Sequence, residues 1–297
     1  MKQRIFDKLL ENSLKNKTKL TESIDNNTYE VMVGDILADR IKTFIAYDIC
    51  DVQPMSSPAG FVFARKADKD AQSFEIIKSN VETNTYKQLW KITDEALDDL
   101  QAISGNTELF TDIVKSSAAF DETKDFLKYI TEQAVDAGTF TQPADSANNA
   151  EVALFSLVKY IGEKVIKINE TFFRSYDGFC ILPQKYADPI LTLSFTYSRW
   201  DDSDDKNKPC DYFLGKINNI KFYIHPDPKA EDCVVGIKSK SDKGVSSIIY
   251  TPYDVIITKA ANSEDGVKTF GVFLRNGFVV NPLHTKEAPL LYKFKIK

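Results

Sequence analysis

Residues 51–65 read DVQPMSSPAGFVFAR and separate two parts of the chain that differ in character. Before them, residues 44–50 form an apolar run, FIAYDIC. The SSPAG segment at 56–60 combines Ser, Pro and Gly, which is typical of a turn. The FVFA segment at 61–64 is dominated by aromatic and β-branched residues, which favour a strand. The stretch therefore predicts a turn that leads into a strand at residue 61.

That strand is expected to belong to a long hairpin. Residues 65–80 are charged and polar, and a second strand-like run from about Val81 to Ile92 follows them, with Tyr86 and Trp90 among Thr, Lys and Gln. A two-stranded hairpin is marginally stable on its own in water. The predicted hairpin therefore needs a neighbouring surface to lie on.

The residues that precede this region predict an arm. Residues 1–43 are rich in charged and polar side chains, and only Ile5, Phe6, Leu9 and Leu10 suggest a short amphipathic helix. A segment of this composition cannot bury a core of its own. We expect it to be flexible or to lie on another surface.

The region after the hairpin has the pattern of helices. A short helix is expected from the N-cap Thr93 to Gly105, followed by a long one over 107–137 that ends at Gly138. The long helix carries an apolar stripe with a seven-residue repeat, made by Leu109, Ile113, Ser116, Phe120, Thr123, Leu127, Ile130 and Ala134. Residues 139–149 have the composition of a linker. A second amphipathic helix then follows, with Leu154, Val158, Ile161, Val165 and Ile168 on its apolar face.

Residues 170–297 are expected to be mainly strands. Alternation of apolar and polar residues predicts half-buried strands at 220–225 and 292–297. Apolar runs predict further strands at 179–182, 234–237, 248–250 and 254–257. Residues 270–280 predict a long strand that is interrupted by a turn at Asn276–Gly277.

Composition excludes several classes of protein. The 297 residues carry a net charge of −5, so the chain lacks the basic footprint of a protein that reads nucleic-acid sequence. No apolar run approaches the ~18 residues that span a bilayer. Residues 1–20 lack the apolar region of a secretory signal, so a cytoplasmic product is expected. The four cysteines and two histidines show no metal-ligand spacing, which favours buried free thiols.

Chemistry-bearing motifs are equally sparse. The acidic run 201–205 could hold a divalent cation, but it lacks the Gly and closing Glu of a calcium loop, so a solvated acidic loop is the simpler interpretation. His225 lies near Asp227, but no nucleophile stands at a defined spacing from them. An arm, a projecting hairpin and a long helix without a catalytic constellation indicate a protein that assembles with neighbouring subunits.

Specific segments support that interpretation. Residues 51–65 resemble the V-Q-P-M-T-G-P-T-G-x-I-F-A-x-R signature of T-even-type phage major capsid proteins. Residues 93–105, TDEALDDLQAISG, are similar to the S-x-E-x-x-x-D-L-x-A-x-x-G stretch of that family, where a long helix also follows. Four later segments resemble family stretches in the same order: KFYIHPD at 221–227, CVVGIK at 233–238, IIYTPY at 248–253 and GVFLRNGFVVNP at 271–282.

The resemblance implies an α+β protein with the Hong Kong 97-type capsid fold. In the terms of that fold, residues 1–58 would be the N-terminal arm and 59–92 the E-loop hairpin. The P domain would comprise 93–145, with the long spine helix, and the C-terminal strands at 266–297. Residues 146–265 would form the A domain.

The function implied is that of a major capsid protein, whose copies form the hexamers and pentamers of an icosahedral head that encloses DNA. The implied partners are further copies of the chain, scaffold, portal and decoration proteins, and packaged DNA through non-specific contact, with no cofactor and no membrane. The virion capsid is the implied location, after assembly in the host bacterial cytoplasm. A catalytic activity is not expected.

Residues at the subunit contacts follow from the same resemblance. The hairpin would lie across a neighbour's P domain and bury side chains of the set Phe61, Phe63, Arg65, Tyr86 and Trp90. The acidic run would sit at the ring centre, where Asp201, Asp202, Asp204 and Asp205 line the opening or contact a neighbour. The family's prohead protease cuts after a hydrophobic-x-Glu pattern, which Glu11 and Glu22 fit.

Length leaves alternatives open. The chain is much shorter than the T-even members, and its hairpin tip, about Arg65 to Asn80, has no room for the insertion domain found there. A minimal major capsid protein, the related pentameric vertex protein and an encapsulin-like shell protein of the same fold all fit. A small-molecule-binding or hydrolytic α+β enzyme is the rival from another class.

Overall fold

The computed structural model describes residues 2–17, 26–68, 73–93, 108–142, 150–172, 175–190, 210–239, 243–262 and 267–297, together with residues 95 and 99. The helices are α1 (Lys2–Lys15), α2 (Asn26–Thr43), α3 (Ala46–Ile49), α4 (Glu108–Gln133) and α5 (Ala150–Phe172). Among the described helices, none is long and apolar enough to cross a membrane.

The strands form two sheets and a separate hairpin. Their bounds are β1 (Asp51–Val52), β2 (Ala59–Asp68), β3 (Ser73–Glu82), β4 (Asn84–Thr93), β5 (Val135–Phe140), β6 (Asp177–Leu182), β7 (Phe213–Ile217), β8 (Ile220–Ile224), β9 (Asp232–Lys238), β10 (Ile248–Asn262), β11 (Val267–Val280) and β12 (Leu291–Ile296). The first sheet has the order β1-β10-β11-β4, the second has the order β5-β12-β9-β6-β8-β7, and β2 pairs only with β3 among the described strands.

An aromatic cluster occupies the centre of the first sheet's core. Tyr250 on β10 and Phe278 on β11 are register partners, and their rings stack with centroids 5.4 Å apart. Phe44, between α2 and α3, meets Tyr250 edge-on at 5.4 Å, and Phe126 on α4 lies 4.8 Å from Phe278. We define the aromatic cluster as Phe44, Tyr47, Phe126, Tyr250 and Phe278. It joins α2, α3 and α4 to the sheet.

The second sheet has its own core beneath α5. The predicted apolar face of this helix is confirmed, since Leu157, Val158, Ile161, Val165 and Ile168 are buried and Leu154 is partly buried. Opposite them lie inward side chains of the central strands, including Cys180 and Phe222. The alternation predicted at 220–225 and 292–297 corresponds to β8 and β12.

The N-terminal residues are more ordered than the sequence suggested. Residues 2–15 and 26–43 form α1 and α2, whose apolar side chains belong to the core of the first sheet. Of the two alternatives for the arm, the second is confirmed for the described residues 2–17 and 26–43, since α1 and α2 lie against β10 of the same chain. Burial against the sheet compensates for a composition that could not form a core alone.

The predicted strand pairing of the hairpin was wrong. β2 pairs with β3, from Ala59↔Glu82 to Asp68↔Ser73, whereas β4 pairs with β11 in the first sheet. Tyr86 and Trp90 therefore lie on β4 rather than on the hairpin. The polar residues of β3 concealed its strand, because a two-stranded hairpin needs only one apolar face.

The structure also differs from the sequence predictions at the end of the long helix and at the turn expected in residues 276–277. The helix α4 ends at Gln133 rather than near Gly138, because Val135 begins to pair with Tyr292 of β12. Gly138, with φ of 85°, lies at an irregularity of β5. No turn occurs at Asn276–Gly277, since β10 and β4 flank this part of β11 and keep it extended. The short helix predicted over 93–105 falls largely outside the described residues.

Candidate assembly interface

The hairpin presents apolar side chains to solvent. Along β2, Val62 and Ala64 are buried, whereas Phe61 is 61% exposed and Phe63 is 45% exposed. The register places Lys78 opposite Phe63 and Ile76 opposite Arg65, and directly opposed residues share one side of a two-stranded sheet. We call Phe61, Phe63, Arg65, Ile76 and Lys78 the hairpin face. A cluster of exposed apolar side chains of this kind is typical of an interaction surface.

The hairpin face is basic as well as apolar. The ammonium group of Lys78 lies 5.9 Å from the ring centroid of Phe63, within the range of a cation–π contact. Arg65 and Ile76 are exposed at the next register position. The chemistry of the face therefore suits a partner that offers apolar groups and negative charge.

The opposite side of the hairpin is fixed to the first sheet. Val62 and Val81 form a small buried cluster with Met55, Ile249 and Tyr253. This cluster explains why Val62 is buried while its neighbours Phe61 and Phe63 are not. It orients the hairpin so that the hairpin face points outward.

Gln53 joins the hairpin to the sheet through its side-chain amide. The Phe63 amide N donates to Gln53 Oε1 at 3.0 Å, and Gln53 Nε2 donates to the Phe63 carbonyl at 2.9 Å. The Gln53 amide N donates to the Tyr250 carbonyl at 2.9 Å. The side chain thus completes, for Phe63, the pair of hydrogen bonds that a neighbouring strand would supply. Sequence reasoning recognised the motif around Gln53 but not this role.

A second connection runs through Asp51 and Gly244. The Gly244 amide N donates to Asp51 Oδ2 at 2.6 Å, and the Gly244 carbonyl accepts from the Arg65 amide N at 2.8 Å. Gly244 has φ of 80°, and a Cβ atom there would lie 2.8 Å from the Phe63 carbonyl oxygen. Only glycine fits this approach. Asn281 Nδ2 donates to the same Gly244 carbonyl at 3.2 Å and to the Ser246 carbonyl at 2.9 Å.

Helix α1 is held against the segment that carries Gln53. Asn12 Nδ2 donates to the Met55 and Tyr253 carbonyls, each at 2.8 Å, and Lys8 Nζ donates to the Pro54 carbonyl at 2.8 Å. Asn12 is polar but buried, because it lies on the same helix face as the buried Leu9. The signal available in the sequence was this polar residue on an otherwise apolar face. It marks a hydrogen-bonded contact rather than a solvated arm.

A groove of about 910 Å³ opens between α1, residues 53–57 and the hairpin. We call it the basic groove, because its charged lining residues are Arg4, Lys8, Arg65 and Lys243, with no acidic residue among the described ones that line it. The apolar part of its wall is made by Met55, Phe61, Phe63 and Ile76.

The other predicted contact residues are scattered. Tyr86 is half-buried on β4, its ring centroid 6.5 Å from that of Phe278, and burial raises its pKa to about 12. Trp90 lies on β4 opposite Phe270. Glu11 is exposed on α1 and pairs with Lys15 at 2.5 Å. The residues Asp201, Asp202, Asp204, Asp205 and Glu22 lie outside the described part of the chain.

Catalytic geometry is not apparent in what the structure describes. No group of three or more His, Cys, Asp or Glu side chains within the described ranges is placed to hold a metal ion. All four cysteines are free and buried, as expected, and burial raises the pKa of the Cys50 thiol. His225 Nδ1 accepts from the Asp227 amide N at 3.0 Å, a local turn contact rather than a catalytic one.

Solved structures with a similar fold include a virus-like particle and a phage capsid. A virus-like particle from Pyrococcus furiosus has a TM-score of 0.55 at 11% identity, over 90% of this chain and 99% of that one. A protein of Mycobacterium phage Bobi has a TM-score of 0.53 at 7% identity, over 86% of this chain and 91% of that one. The capsid structure of cyanophage P-SCSP1u has a TM-score of 0.52 at 9% identity, over 86% of this chain and 89% of that one. These likenesses show the fold, which is the Hong Kong 97-type capsid fold that the sequence predicted.

Sequence comparison supplies the family. No curated protein matches the chain. Residues 67–295, most of the chain, match the model of a family described as major capsid protein Gp23. The match includes β3 and the last two residues of β2, all of the first sheet except β1, and the second sheet up to Lys295 of β12. The chain therefore belongs to the Gp23 family of phage major capsid proteins.

Proposed function

We propose that this chain is the shell subunit of a tailed-phage head, and that its copies assemble through the hairpin face into the hexamers and pentamers of an icosahedral shell around DNA. The observation that carries the proposal is the outward orientation of Phe61, Phe63 and Ile76. Each is about half exposed or more, although the hairpin beneath them is fixed by a buried cluster and by Gln53.

A fixed hairpin with an exposed apolar side is suited to head-to-tail contacts. Such contacts place different surfaces of two copies against each other, and they generate rings when the rotation between copies closes. The hairpin is ordered in the single chain by its contacts with the first sheet. Assembly therefore needs less ordering at the contact than a free loop would require.

The regions of the capsid fold can be assigned on this basis. We take residues 1–58 as the N-terminal arm and 59–92 as the E-loop region, within which the hairpin occupies 59–82. The P domain comprises 93–145, with α4 as its spine helix, and 266–297. Residues 146–265 form the A domain. The acidic residues at 201–205 belong to the A domain in this scheme and would lie near the ring centre.

Partners other than the chain itself follow from the same function. We expect scaffold and portal proteins to direct assembly in the host bacterial cytoplasm, and decoration proteins to bind the finished shell. The net charge of −5 suits a shell that contacts packaged DNA weakly, because a strongly basic lining would bind phosphate tightly. We expect a structural role without catalysis.

The test is to shorten the hairpin without disturbing its base. Replacing residues 65–76 by Asn-Gly joins the register pair Ala64 and Ile77 through a two-residue turn and leaves Val62 and Val81 in place. We expect a folded chain that does not form rings, tubes or shells under conditions where the wild type does. Negative-stain electron microscopy, with circular dichroism as the folding control, measures both properties.

The images also separate the possible roles. Closed shells or hexamers from the wild type support a major capsid protein, and pentamers alone would indicate a vertex protein instead. Normal shells from the shortened chain would show that the part of the hairpin beyond the Ala64–Ile77 pair does not mediate assembly. A wild type that stays monomeric at high concentration, with and without candidate scaffold, would contradict the proposed function itself.

A further inference from the structure

A cavity of about 280 Å³ lies between the second sheet and the segment that leads into the first sheet. One wall is the face of the second sheet that points away from α5 and carries Phe179 and Tyr223. The other wall is formed by residues of the segment 47–52 and by Lys2 and Ile5 of α1. Ligand cavities commonly form where two parts of a fold meet in this way.

Tyr223 contributes a buried hydroxyl group to the sheet wall of this cavity. The side chain is 0% exposed, and its hydroxyl oxygen has no hydrogen-bond partner among the residues that the structure describes. Burial of a polar group without a partner costs free energy, because water no longer satisfies it. A hydrogen-bond acceptor on a bound molecule would remove this cost.

Lys238 contributes a partly buried ammonium group. Its Nζ donates to the Tyr47 carbonyl at 2.6 Å, which uses one of its three N–H donors. Within the described ranges of the chain it forms no ion pair. Burial lowers the pKa of Lys238 to about 8, because a low-dielectric environment disfavours the charged form. A bound anion would supply the counter-charge.

The acidic residues of the cavity have other partners. Asp48 and Asp51 each accept a hydrogen bond from a backbone N–H group at 2.6 Å. Asp177 faces Lys216 at 3.9 Å. The cavity is lined by four lysines and three aspartates, and none of these aspartates neutralises Lys238 through a direct ion pair.

Strand register separates the ammonium group from the hydroxyl group. Lys238 pairs with Asp177 at the start of β6. Tyr223 pairs with Ile181, four residues further along that strand, and four steps along a strand span about 13 Å. Phe179 lies midway between these two positions and lines the cavity. The wall therefore runs from a cation, past an aromatic ring, to an uncharged donor.

An occupant that matches all three features is a small carboxylic acid with a hydrocarbon body and a neutral oxygen at its other end. The carboxylate would accept charge-assisted hydrogen bonds from Lys238, and the neutral oxygen would accept one from Tyr223. The hydrocarbon body would cover Phe179 and Val52. An inorganic ion would leave these apolar side chains uncovered, and a plain fatty acid would leave the Tyr223 hydroxyl group without a partner.

We propose that this cavity binds a short oxo acid, with the carboxylate at Lys238 and the oxo oxygen at Tyr223. The site goes beyond the proposed function and does not depend on it, because every residue that forms it belongs to one chain. A ligand that binds only the folded chain stabilises that chain. Occupation of the cavity should therefore raise the unfolding temperature of the unassembled protein.

Two pairs of probes test the site on the whole chain: 4-oxopentanoate against pentanoate, and 7-oxooctanoate against octanoate. The members of each pair differ only in the oxo group. Isothermal titration calorimetry should give a Kd on the order of 0.1–1 mM for the better oxo acid, a value in keeping with its small number of atoms. The matching plain acid should bind about fivefold more weakly, because it lacks one hydrogen bond.

Three variants locate the ligand. Tyr223→Phe should bind both members of a pair equally, and should fold at least as stably as the wild type without ligand, because the hydroxyl group it removes has no described partner. Lys238→Met should weaken the binding of both acids by about tenfold or more. Lys164→Met replaces a partly buried lysine of α5, on the other side of the second sheet, and should leave binding unchanged.

Several results would overturn the inference. They are the absence of binding for all four acids at about 10 mM, equal affinities for the oxo and plain acids in the wild type, and wild-type affinity in Lys238→Met. The comparison with Tyr223→Phe remains decisive if Lys238→Met does not fold. None of these results depends on assembly, so a chain that binds the oxo acid and stays monomeric would contradict the proposed function alone.

Discussion

The aromatic cluster and the hairpin face use the same kinds of side chain for different purposes. Phe44 is 1% exposed and its ring contacts four other aromatic rings, whereas Phe61 is 61% exposed. The cluster is covered by helices on one side and by the sheet on the other. The hairpin has a single supporting layer, so every second residue of β2 faces solvent. An aromatic residue stabilises the fold where two layers enclose it, and is available to a second copy where only one does.

The polar contacts of the two regions differ in the same way. Beneath the aromatic cluster, Arg40 and Glu122 form a buried ion pair, joined by Asn276 and the Tyr250 hydroxyl group. The hairpin instead depends on the uncharged amide of Gln53. Removal of one partner from a buried ion pair is costly, whereas loss of neutral hydrogen bonds near the surface is modest. Substitutions in the two regions should therefore differ in size and in what they change.

The largest effect is expected from Phe44→Ala. The substitution removes a fully buried ring from the contact between α2, α4 and the sheet, and should lower the free energy of unfolding by about 4 kcal/mol. Denaturant unfolding measures the loss. A change below about 1 kcal/mol would mean that this cluster is not the centre of the core.

A somewhat smaller loss, about 3 kcal/mol near neutral pH, is expected from Glu122→Ala, because the buried side chains of Arg40 and Asn276 then lose their hydrogen-bond partner. Burial raises the pKa of Glu122 to about 7, against the lowering influence of Arg40. Because the pKa of Glu122 is higher in the folded chain than its ordinary value of 4.5, the folded chain binds the proton more tightly than the unfolded chain does. Glu122 therefore stabilises the fold fully below about pH 4.5, and this stabilisation is lost as the pH rises to 7.

The pH dependence provides the control for that prediction. As the pH falls from 7 towards 4.5, the stability of the wild type should improve relative to Glu122→Ala, which cannot titrate at this position. Unfolding curves at several pH values measure the difference. A difference that is constant across this range would contradict the raised pKa.

Gln53→Ala should have a moderate and local effect. It removes both side-chain hydrogen bonds to the Phe63 backbone, and should cost about 1–2 kcal/mol and accelerate hydrogen exchange at the Phe63 amide. Gln88→Ala is the matched control, since its side chain contacts Asp121 on the exposed surface and not the hairpin. Unchanged exchange at Phe63 would show that the hairpin does not depend on Gln53.

The smallest effect on stability, within about 1 kcal/mol, is expected from Phe61→Ser with Phe63→Ser, because each side chain is already about half exposed or more. Assembly should nevertheless be lost, as followed by sedimentation velocity. Val62→Ser, on the same strand but facing the buried cluster, should destabilise the fold instead. Normal assembly of the double variant would remove the distinction between the two regions.

Elements whose apolar pattern matches their own neighbours could be predicted from the sequence. In β12, Phe294 and Ile296 are buried and Lys295 is exposed, as the alternation indicates, whereas β8 also buries Tyr223 on its other face. The apolar face of α5 meets the second sheet as its spacing indicates. The stripe of α4 is confirmed at Thr123, Leu127 and Ile130, which are buried, and Ala134, directly after the helix, is buried as well. Phe120 departs from it and is 44% exposed.

Elements stabilised by distant parts of the chain could not be predicted in full. The burial of α1 depends on hydrogen bonds from Asn12 to carbonyls at Met55 and Tyr253, and no local pattern contains this pairing. Asn276 resembles a turn residue in the sequence, but it lies inside β11 and its side chain donates a hydrogen bond to Glu122 on α4. Of the proposed interface, the sequence indicated Phe61, Phe63 and Arg65, but the basic groove arises only when α1 and the hairpin come together.

The most direct measurement is a cryo-electron microscopy reconstruction of the assembled particle. We expect a neighbouring copy to cover Phe61 and Phe63, while the aromatic cluster remains inside each chain. A shell in which the hairpin face of every copy remains exposed to solvent would show that assembly does not proceed through this face.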